Sequence, residues 1–80
     1  MIAEFANCPK VVGVKQTKRA VESGSAGRVF LAADADPRVI EPIAALCADR
    51  NVPVEQCPSM KELGKACGIA VGAAVAAALK

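Results

Sequence analysis

The strongest chemical signal in this 80-residue sequence is the run G-V-K-Q-T-K-R at positions 13–19. In a helix, Lys15 and Arg19 lie four residues apart and share a face, with Gln16 beside them. A helix that begins here also offers unpaired backbone N–H groups and the positive end of its dipole, and both attract phosphate. Because an amide and a guanidinium can bind base edges, and Arg suits the O6 and N7 acceptors of guanine, the run predicts nucleic-acid chemistry.

The same run also fits an ordinary amphipathic helix. In that interpretation Val14, Thr17 and Val21 face the core, and the basic side chains are solvated. A second basic pair, Lys61 and Lys65, has the same four-residue spacing and the same two interpretations: phosphate contacts or a solvated helix face. From these residues alone, both interpretations stay open.

Two closely spaced acids, Asp34 and Asp36, could serve as catalytic carboxylates or bind Mg²⁺. No motif supplies a third ligand or a nucleophile, however. Asp36 stands directly before Pro37, an arrangement typical of a helix start in which the acid caps the helix and the proline occupies its first position. We therefore favour capping and predict no metal site and no catalytic residue.

Several absences exclude classes of function. The sequence has no His, so it contains no Ser–His or Cys–His nucleophile pair and no imidazole base. It also has no Trp or Tyr and only two Phe, too few aromatic rings for the stacking platforms of RNA-recognition modules and oligonucleotide-binding barrels. We predict that the protein is not an enzyme and has no cofactor, and that any nucleic-acid binding uses groups other than aromatic rings.

The four cysteines indicate neither a metal site nor a redox motif. Positions 8, 47, 57 and 67 contain no C-x-x-C, which argues against zinc and thioredoxin-type sites. From the acid and the missing basic stretch in residues 1–8 we expect no signal peptide, so a disulfide framework is not favoured. We interpret Cys8, Cys47, Cys57 and Cys67 as buried thiols of a cytoplasmic protein. No apolar run reaches the roughly 18 to 20 residues that a membrane helix needs, so we predict no membrane partner.

Charge is distributed unevenly. Residues 10–19 hold four basic and no acidic residues, residues 20–60 hold three basic and six acidic residues, and residues 61–80 hold three basic residues and one acid. The net charge of +2 thus conceals two basic blocks around an acidic middle. This pattern is expected when one face of a protein meets a polyanion.

Helix and strand signals alternate along the chain. Gly24 and Gly68 mark helix ends, Asp36 marks a helix start, and Ser59 with Glu62 forms an S-x-x-E capping box. The expected elements are a helix at 14–23, a strand at 28–33 buried on both faces, a helix at 37–50, a strand at 54–57 and a helix opening at Ser59. Alternation with short connectors predicts a single domain, residues 1–80, with the architecture of a three-layer α/β/α sandwich around a small central mixed sheet.

Three local features affect the predicted helices and strands. Pro42 should disturb the first turn of the second helix and favour a tighter turn over residues 37–40. Gly64 inside a helix indicates the close approach of a neighbouring backbone or a ligand. The Ala-rich stretch 69–79 favours a helix by propensity, although Val71 and Val75 with flanking glycines would tolerate a buried strand.

Four motifs, taken together in order and spacing, resemble a known family. They are G-V-K-Q-T-K-R-A-V-E-S-G at 13–24, A-A-D-A-D-P at 32–37, Cys47 followed by N-V-P at 51–53, and L-G-K-A-C-G at 63–68. In these motifs the chain resembles the superfamily of kink-turn-binding ribosomal proteins, whose type member is large-subunit protein seven-Ae. The resemblance covers essentially the whole chain. The K-Q-T triplet and the M-K-x-L-G-K-A-C-G-I run resemble its bacterial YbxF-type branch in particular.

The resemblance implies an α/β/α sandwich that grips a kink-turn, an RNA helix sharply bent at a short bulge followed by sheared G·A pairs. It also implies that the Ala-rich end is a strand, and we adopt this over the propensity. By the same resemblance, Gly13 permits close approach to the RNA backbone, and the sheared guanines are contacted by Lys15, Gln16 and Arg19. The resemblance also implies that Asp36 and Ile40 lie beside the nucleotide flipped out of the bulge, and that Met60 lies in the loop that closes over it. From charge and placement we add Lys18, Lys61 and Lys65 as phosphate contacts.

Several positions differ from the type member. Lys15 and Gln16 replace an Asn-Glu pair, and Arg19 replaces a Lys, changes that keep hydrogen-bonding ability and add positive charge. Met60 stands where a Lys is common, and it can pack against a base but cannot bind a phosphate. We therefore expect guanine recognition to survive with altered contacts in the closing loop.

The resulting hypothesis is a monomeric, cytoplasmic RNA-binding protein that recognises and stabilises kink-turns and is associated with the ribosome. Its partner would be a structured ribosomal or riboswitch-like RNA, with no DNA and no membrane involved. The alternative is a structural ribosomal or protein-interaction module that keeps the fold without specificity for kink-turns.

Overall fold

Short strands and helices alternate along residues 9–80, the part of the chain that the computed structural model describes. In chain order the elements are β1 (Lys10–Val12), α1 (Val14–Glu22), β2 (Ala26–Ala32), α2 (Pro37–Asp49), β3 (Val54–Cys57), α3 (Met60–Ala66) and β4 (Val75–Leu79). The helices predicted at 14–23, at 37–50 and from Ser59, and the strands predicted at 28–33 and 54–57, are confirmed, with shifts of one or two residues at some boundaries. Cys8 lies outside the described residues.

The four strands of this region form one mixed sheet in the order β1-β4-β2-β3. β4 is antiparallel to both β1 and β2, whereas β2 and β3 are parallel, with Val29 opposite Val54 and Ala32 opposite Cys57. A parallel pair needs a crossover connection, and α2 supplies it. The predicted mixed sheet is thus confirmed.

Helices cover both faces of the sheet. Alternating residues of β2 point to opposite sides, so that Val29 and Leu31 pack with α1 and α2, while Phe30 and Ala32 pack with α3. Because apolar residues occupy both faces, β2 is buried on each side, as its sequence predicts. The result is the expected three-layer α/β/α arrangement, with α1 and α2 in one outer layer and α3 in the other.

The helix that propensity predicts for the Ala-rich stretch is wrong. Residues Val75–Leu79 form β4, the strand implied by the family resemblance, and Val75, Ala76 and Ala77 are fully buried. Hydrogen bonding to strands on both sides outweighs the intrinsic helix propensity of Ala. The small side chains keep β4 thin, so that helices can pack closely on both faces.

The tighter turn expected at residues 37–40 is also wrong. α2 is α-helical from Pro37, and the Asp36 carbonyl accepts the Ile40 N–H at 3.1 Å. Pro42 is exposed and removes only the hydrogen bond to the carbonyl of Arg38, itself an exposed residue, so water can replace that bond. Within residues 9–80, no helix is long and apolar enough to cross a bilayer.

Candidate nucleic-acid interface

Strand directions bring four segments of the chain to one edge of the sheet. β1, β2 and β3 all end at this edge, and β4, which runs the other way, begins there. Backbone hydrogen bonds join the segments: Gly13 N–H to the Val75 carbonyl, Ala32 N–H to the Ala74 carbonyl and Ala33 N–H to the Cys57 carbonyl, each at 2.9 Å. We call this the site edge; it comprises Gly13 with the start of α1, and the loops at 33–36, 58–60 and 67–74.

The start of α1 lies at the site edge with no side-chain cap. Gly13 precedes the helix with φ 100° and ψ 159°, a conformation that glycine adopts readily and other residues rarely do. Its carbonyl accepts the Thr17 N–H at 3.0 Å, which starts the helical hydrogen bonding. Among residues 9–80, no side-chain hydrogen bond caps this first turn, so its N–H donors are available to an anion.

The two faces of α1 have different roles. Thr17, Ala20 and Val21 are buried, which confirms the amphipathic interpretation for the inner face, whereas Val14 is 38% exposed and only borders it. The outer face carries exposed polar and basic side chains, namely Lys15, Gln16, Lys18 and Arg19. Gln16 and Arg19 also line one shallow groove of about 200 Å³. An amphipathic core helix and a basic binding face are therefore compatible in the same nine residues.

The basic side chains of the candidate site differ from the other arginines in whether a carboxylate forms an ion pair with them. Arg28, Arg38 and Arg50 form ion pairs with Glu55, Asp36 and Asp49. Among residues 9–80, no carboxylate pairs with the candidate cations, which are Lys15, Lys18, Arg19, Lys61 and Lys65. Their charge is thus not neutralised within the described part of the protein and is available to a polyanion.

Asp36 caps α2, as its sequence predicts, and it also binds the side chain of Arg38, which is not among the predicted site residues. Its carboxylate accepts the Arg38 backbone N–H at 2.9 Å and binds the Arg38 guanidinium through Nη2 at 2.9 Å and Nε at 3.2 Å. The side-chain and backbone bonds from Arg38 lower the pKa of Asp36 below its ordinary value, and the carboxylate raises the pKa of Arg38. The Arg38 side chain is 89% exposed. The signal in the sequence was an Arg two residues after a capping Asp.

This pair predicts a measurable pH dependence. Because the pKa of Asp36 is lowered in the folded state, the cap should contribute fully above the ordinary value near 3.8 and be lost as the pH falls through the folded value. In Arg38→Gln the backbone bond remains but the ion pair is gone, so the pKa of Asp36 should rise part of the way to 3.8. Carboxyl carbon NMR titration measures this shift. An identical Asp36 titration in the variant would contradict the ion pair.

The loops at 33–36 and 58–60 are joined through Met60. Asp34 Oδ1 accepts the Met60 N–H at 2.7 Å, and Ser59 Oγ accepts the Glu62 N–H at 3.1 Å, which confirms that Ser59 caps α3. Asp34 is thus a cap, but of α3 and not of the helix that follows it in sequence. Ile40, a residue of α2, is half-buried and packs against the core. Met60 is 36% exposed.

The loop before β4 also lies at this edge, although none of its residues is among the predicted site residues. Ala73 donates its N–H to the Met60 carbonyl at 3.0 Å, and a Cβ on Gly72 would meet the Met60 Cβ at 3.1 Å. A Cβ on Gly64 would collide with the Val71 carbonyl oxygen, which confirms the close backbone approach predicted for Gly64. Val71 is 71% exposed and Ile69 is 37% exposed. The signal was two exposed apolar residues between Gly68 and Gly72.

The ten predicted site residues fall into two groups. Gly13, Lys15, Gln16, Lys18 and Arg19 belong to α1 and the residue before it, whereas Asp36, Ile40, Met60, Lys61 and Lys65 belong to α2 and α3 and the residue before α2. Lys61 and Lys65 line a groove of about 290 Å³ with residues 69–72. Gly13 and Met60 lie at the site edge itself, while Arg19 and Lys65 lie one or two helical turns from it.

The carboxylate and thiol side chains of residues 9–80 are the groups relevant to metal binding and thiol chemistry. Across residues 9–80, no cluster of three or more His, Cys, Asp or Glu side chains is suited to hold a metal ion. Cys47 and Cys57 are buried, as predicted, whereas Cys67 is only half-buried. Burial raises the pKa of all three thiols above the ordinary value, so they favour the protonated form.

The chain is similar in sequence to one known protein family and to bacterial proteins described as RNA-binding. The model of the ribosomal protein L7Ae/L30e/S12e/Gadd45 family matches residues 10–80. The RNA-binding protein YbxF of Geobacillus stearothermophilus is 51% identical over 70 residues, which cover 88% of this chain and 85% of that protein. An RNA-binding protein of Geobacillus kaustophilus (strain HTA426) has the same identity and coverage.

Among solved structures, the Giardia lamblia 15.5kD RNA binding protein superposes with a TM-score of 0.87 at 30% identity, covering 99% of this chain and 68% of that one. A protein of unknown function from Bacillus halodurans shares the fold with a TM-score of 0.82 at 24% identity. The family match spans nearly all of the chain, and the relatives exceed half identity across most of their own length. This chain therefore belongs to the ribosomal protein L7Ae/L30e/S12e/Gadd45 family.

Proposed function

We propose that this protein is a non-enzymatic RNA-binding protein that recognises and stabilises kink-turns. The observation that carries the proposal is the uncapped start of α1, where free N–H donors adjoin Lys15, Gln16 and Arg19, side chains without carboxylate partners in the described part of the chain. The bacterial relatives and the Giardia protein carry the description RNA-binding, which supports the same class of ligand.

A kink explains how a helix start could bind RNA bases. The major groove of an undistorted A-form duplex is too deep and narrow for protein side chains to enter. A sharp bend opens that groove, and sheared G·A pairs leave guanine edges exposed. In our proposal the start of α1 enters there, Gln16 and Arg19 bind guanine edges, and Gly13 leaves open space for the RNA backbone, since even a Cβ at this position would meet no atom within 4 Å.

The second group of residues would receive the nucleotide flipped out of the bulge. Ile40 and Met60 supply apolar contacts for the base, and Asp36 positions the start of α2 beside it. The exposed loop residues Ile69 and Val71 extend the apolar surface of the same edge. Lys18, Lys61 and Lys65 would bind phosphates on the flanking stems, as their exposure and lack of ion pairs in this region allow.

Other parts of the proposal concern the setting in the cell. We infer a cytoplasmic monomer in which residues 1–80 act as a single RNA-binding unit. Its partner would be a structured ribosomal or riboswitch-like RNA, which makes an association with the ribosome the expected context. Sequencing of RNA crosslinked to the protein in its native cells would identify this partner.

The decisive experiment compares two RNAs that differ only in the kink. One contains the bulge and sheared G·A pairs, and the other replaces these pairs with Watson–Crick pairs and has no bulge. The protein should bind the first more tightly in titrations at a fixed salt concentration. Equal affinity for both would refute specific recognition and favour a structural or protein-interaction module of the same fold.

Lys61 provides a test of the phosphate contacts. Lys61→Ala should weaken binding to all RNAs by a similar factor and lower the slope of log K against log salt by about one, because one fewer counterion is released. The matched control is Lys80→Ala, which removes an exposed lysine just beyond the end of β4, at the opposite edge of the sheet. An unchanged slope for Lys61→Ala, or an equal change for Lys80→Ala, would exclude a contact at Lys61.

A further inference from the structure

We propose that Asp34 is a positioning residue for the flipped nucleotide, acting through the backbone of Met60. This inference rests on the proposed function and adds a residue to which neither the charge pattern nor the family resemblance assigned a role in binding. Asp34 would hold the segment that closes over the nucleotide without contacting the RNA itself.

The bond between Asp34 and Met60 is short and charge-assisted. Asp34 Oδ1 lies 2.7 Å from the Met60 nitrogen, across 26 positions of sequence. Met60 is the first residue of α3, where backbone N–H groups lack partners within the helix, and Ser59 satisfies a different donor, that of Glu62. The start of α3 therefore depends on one cap from its own segment and one from the loop at 33–36.

Met60 connects a third segment as well. Its carbonyl accepts the Ala73 N–H at 3.0 Å, and its backbone fills the space beside Gly72. Two backbone groups of one residue thus join the loops at 33–36 and 67–74 to the start of α3. The Met60 side chain takes no part in these bonds and remains 36% exposed, free to contact a base.

Asp34 is itself held in place on both sides. Ala33 donates its N–H to the Cys57 carbonyl at 2.9 Å, and Ala35 is buried against the α3 side of the sheet. Asp36 then caps α2 beside Ile40. Because its neighbours are anchored, the Asp34 carboxylate fixes Met60 relative to the residues expected on the other side of the flipped nucleotide.

Charge supports this assignment. An exposed carboxylate at a surface that binds a polyanion is repelled by the phosphates, so an acid there needs another role. The carboxylate of Asp36 is neutralised by Arg38. The carboxylate of Asp34 is directed to a backbone N–H, which identifies positioning of Met60 as its contribution.

The test separates positioning from general stability. The protein is titrated with a kink-turn RNA and with the same RNA carrying an abasic site at the flipped nucleotide, and the ratio of the two affinities is measured. Asp34→Ala should lower this ratio about fivefold to tenfold, less than the loss of a direct hydrogen bond to a charged group would give, because Asp34 acts on the RNA only through Met60. Its affinity for the abasic RNA should stay near that of the unsubstituted protein, since α1 is not altered.

Asp34→Asn serves as the conservative variant. Its amide oxygen can still accept the Met60 N–H without charge, so the ratio should fall only about twofold to threefold. Should circular dichroism show that Asp34→Ala does not fold, Asp34→Asn carries the test alone, and an unchanged ratio then overturns the proposal. The matched control for loss of charge is Asp49→Ala at the other end of α2, which should leave the ratio unchanged.

The outcomes are distinct. Equal weakening of both RNAs by Asp34→Ala, or no effect on either, overturns positioning by Asp34. The proposed function is judged separately, by whether the unsubstituted protein prefers the kink-turn to the Watson–Crick duplex. A kept kink-turn preference with an unchanged abasic ratio in Asp34→Ala would remove the role of Asp34 and leave the proposed function intact.

Discussion

Arg19→Ala is expected to reduce the preference for a kink-turn over its Watson–Crick counterpart by about tenfold or more, since a bidentate arginine–guanine pair contributes roughly 1–3 kcal/mol of discrimination. Arg19 is exposed, and no carboxylate pairs with it among residues 9–80, so the loss should come from the RNA contact and not from an internal ion pair. The measurement is the ratio of dissociation constants for the two RNAs at one salt concentration. Gln16→Ala should erode the same ratio.

Arg19→Lys is the informative control. It keeps the positive charge but loses the planar fork that binds two acceptors of one guanine, so overall RNA affinity should be largely kept while the preference falls. If Arg19→Lys and Arg19→Ala both leave the preference intact, Arg19 does not bind guanine edges. Circular dichroism of each variant should show an unchanged fold, because the side chain lies on the outer face of α1.

Gly64→Ala is expected to destabilise the protein, because Gly64 is the point where α3 packs against the loop at 67–74. The added Cβ would collide with the Val71 carbonyl oxygen and press on the Gly72 Cα at 3.0 Å, both of them backbone atoms that cannot rotate away. Overpacking of this kind costs about 1–3 kcal/mol. Helix propensity works in the opposite direction by about 1 kcal/mol, so we expect steric overlap to win by a modest margin.

Thermal unfolding measures this effect. A net loss of about 1 kcal/mol lowers the Tm of a domain of this size by roughly 4–8 °C. The matched control is Gly27→Ala, whose Cβ would meet its nearest atom, the Ala78 carbonyl oxygen, at an ordinary 3.5 Å. A Tm that rises in Gly64→Ala would show that the loop moves aside freely, and its link to α3 would then be weak.

Local signals predicted several elements well because their causes are local. Asp36 before Pro37 specifies a capped helix start, and Gly24 and Gly68, both at φ 79°, end helices in the conformation that glycine favours. The periodic spacing of Thr17, Ala20 and Val21 identifies the inner face of α1. Each of these features depends on residues within a few positions of one another, so a sequence pattern is sufficient to reveal it.

The Ala-rich end shows where local signals fail. Its composition favours a helix, but its position between β1 and β2 provides hydrogen bonds on both sides, and only the assembled sheet creates that position. The family resemblance corrected the prediction because the fold of the family already includes a strand at this position. Pro42 is the opposite case, since an exposed position makes the missing hydrogen bond inexpensive.

Residue types and spacing alone identify the chemical groups of the candidate interface, which are Gly13 before a helix and Lys15, Gln16 and Arg19 within it. Which other segments lie beside these residues depends on the order and direction of the strands. The parallel pairing of β2 with β3 brings Asp34 to Met60 across 26 positions, and the antiparallel β4 returns Ala73 to the same residue. Such contacts leave no periodic trace in a single sequence, because each depends on strand order and direction and not on spacing along the chain.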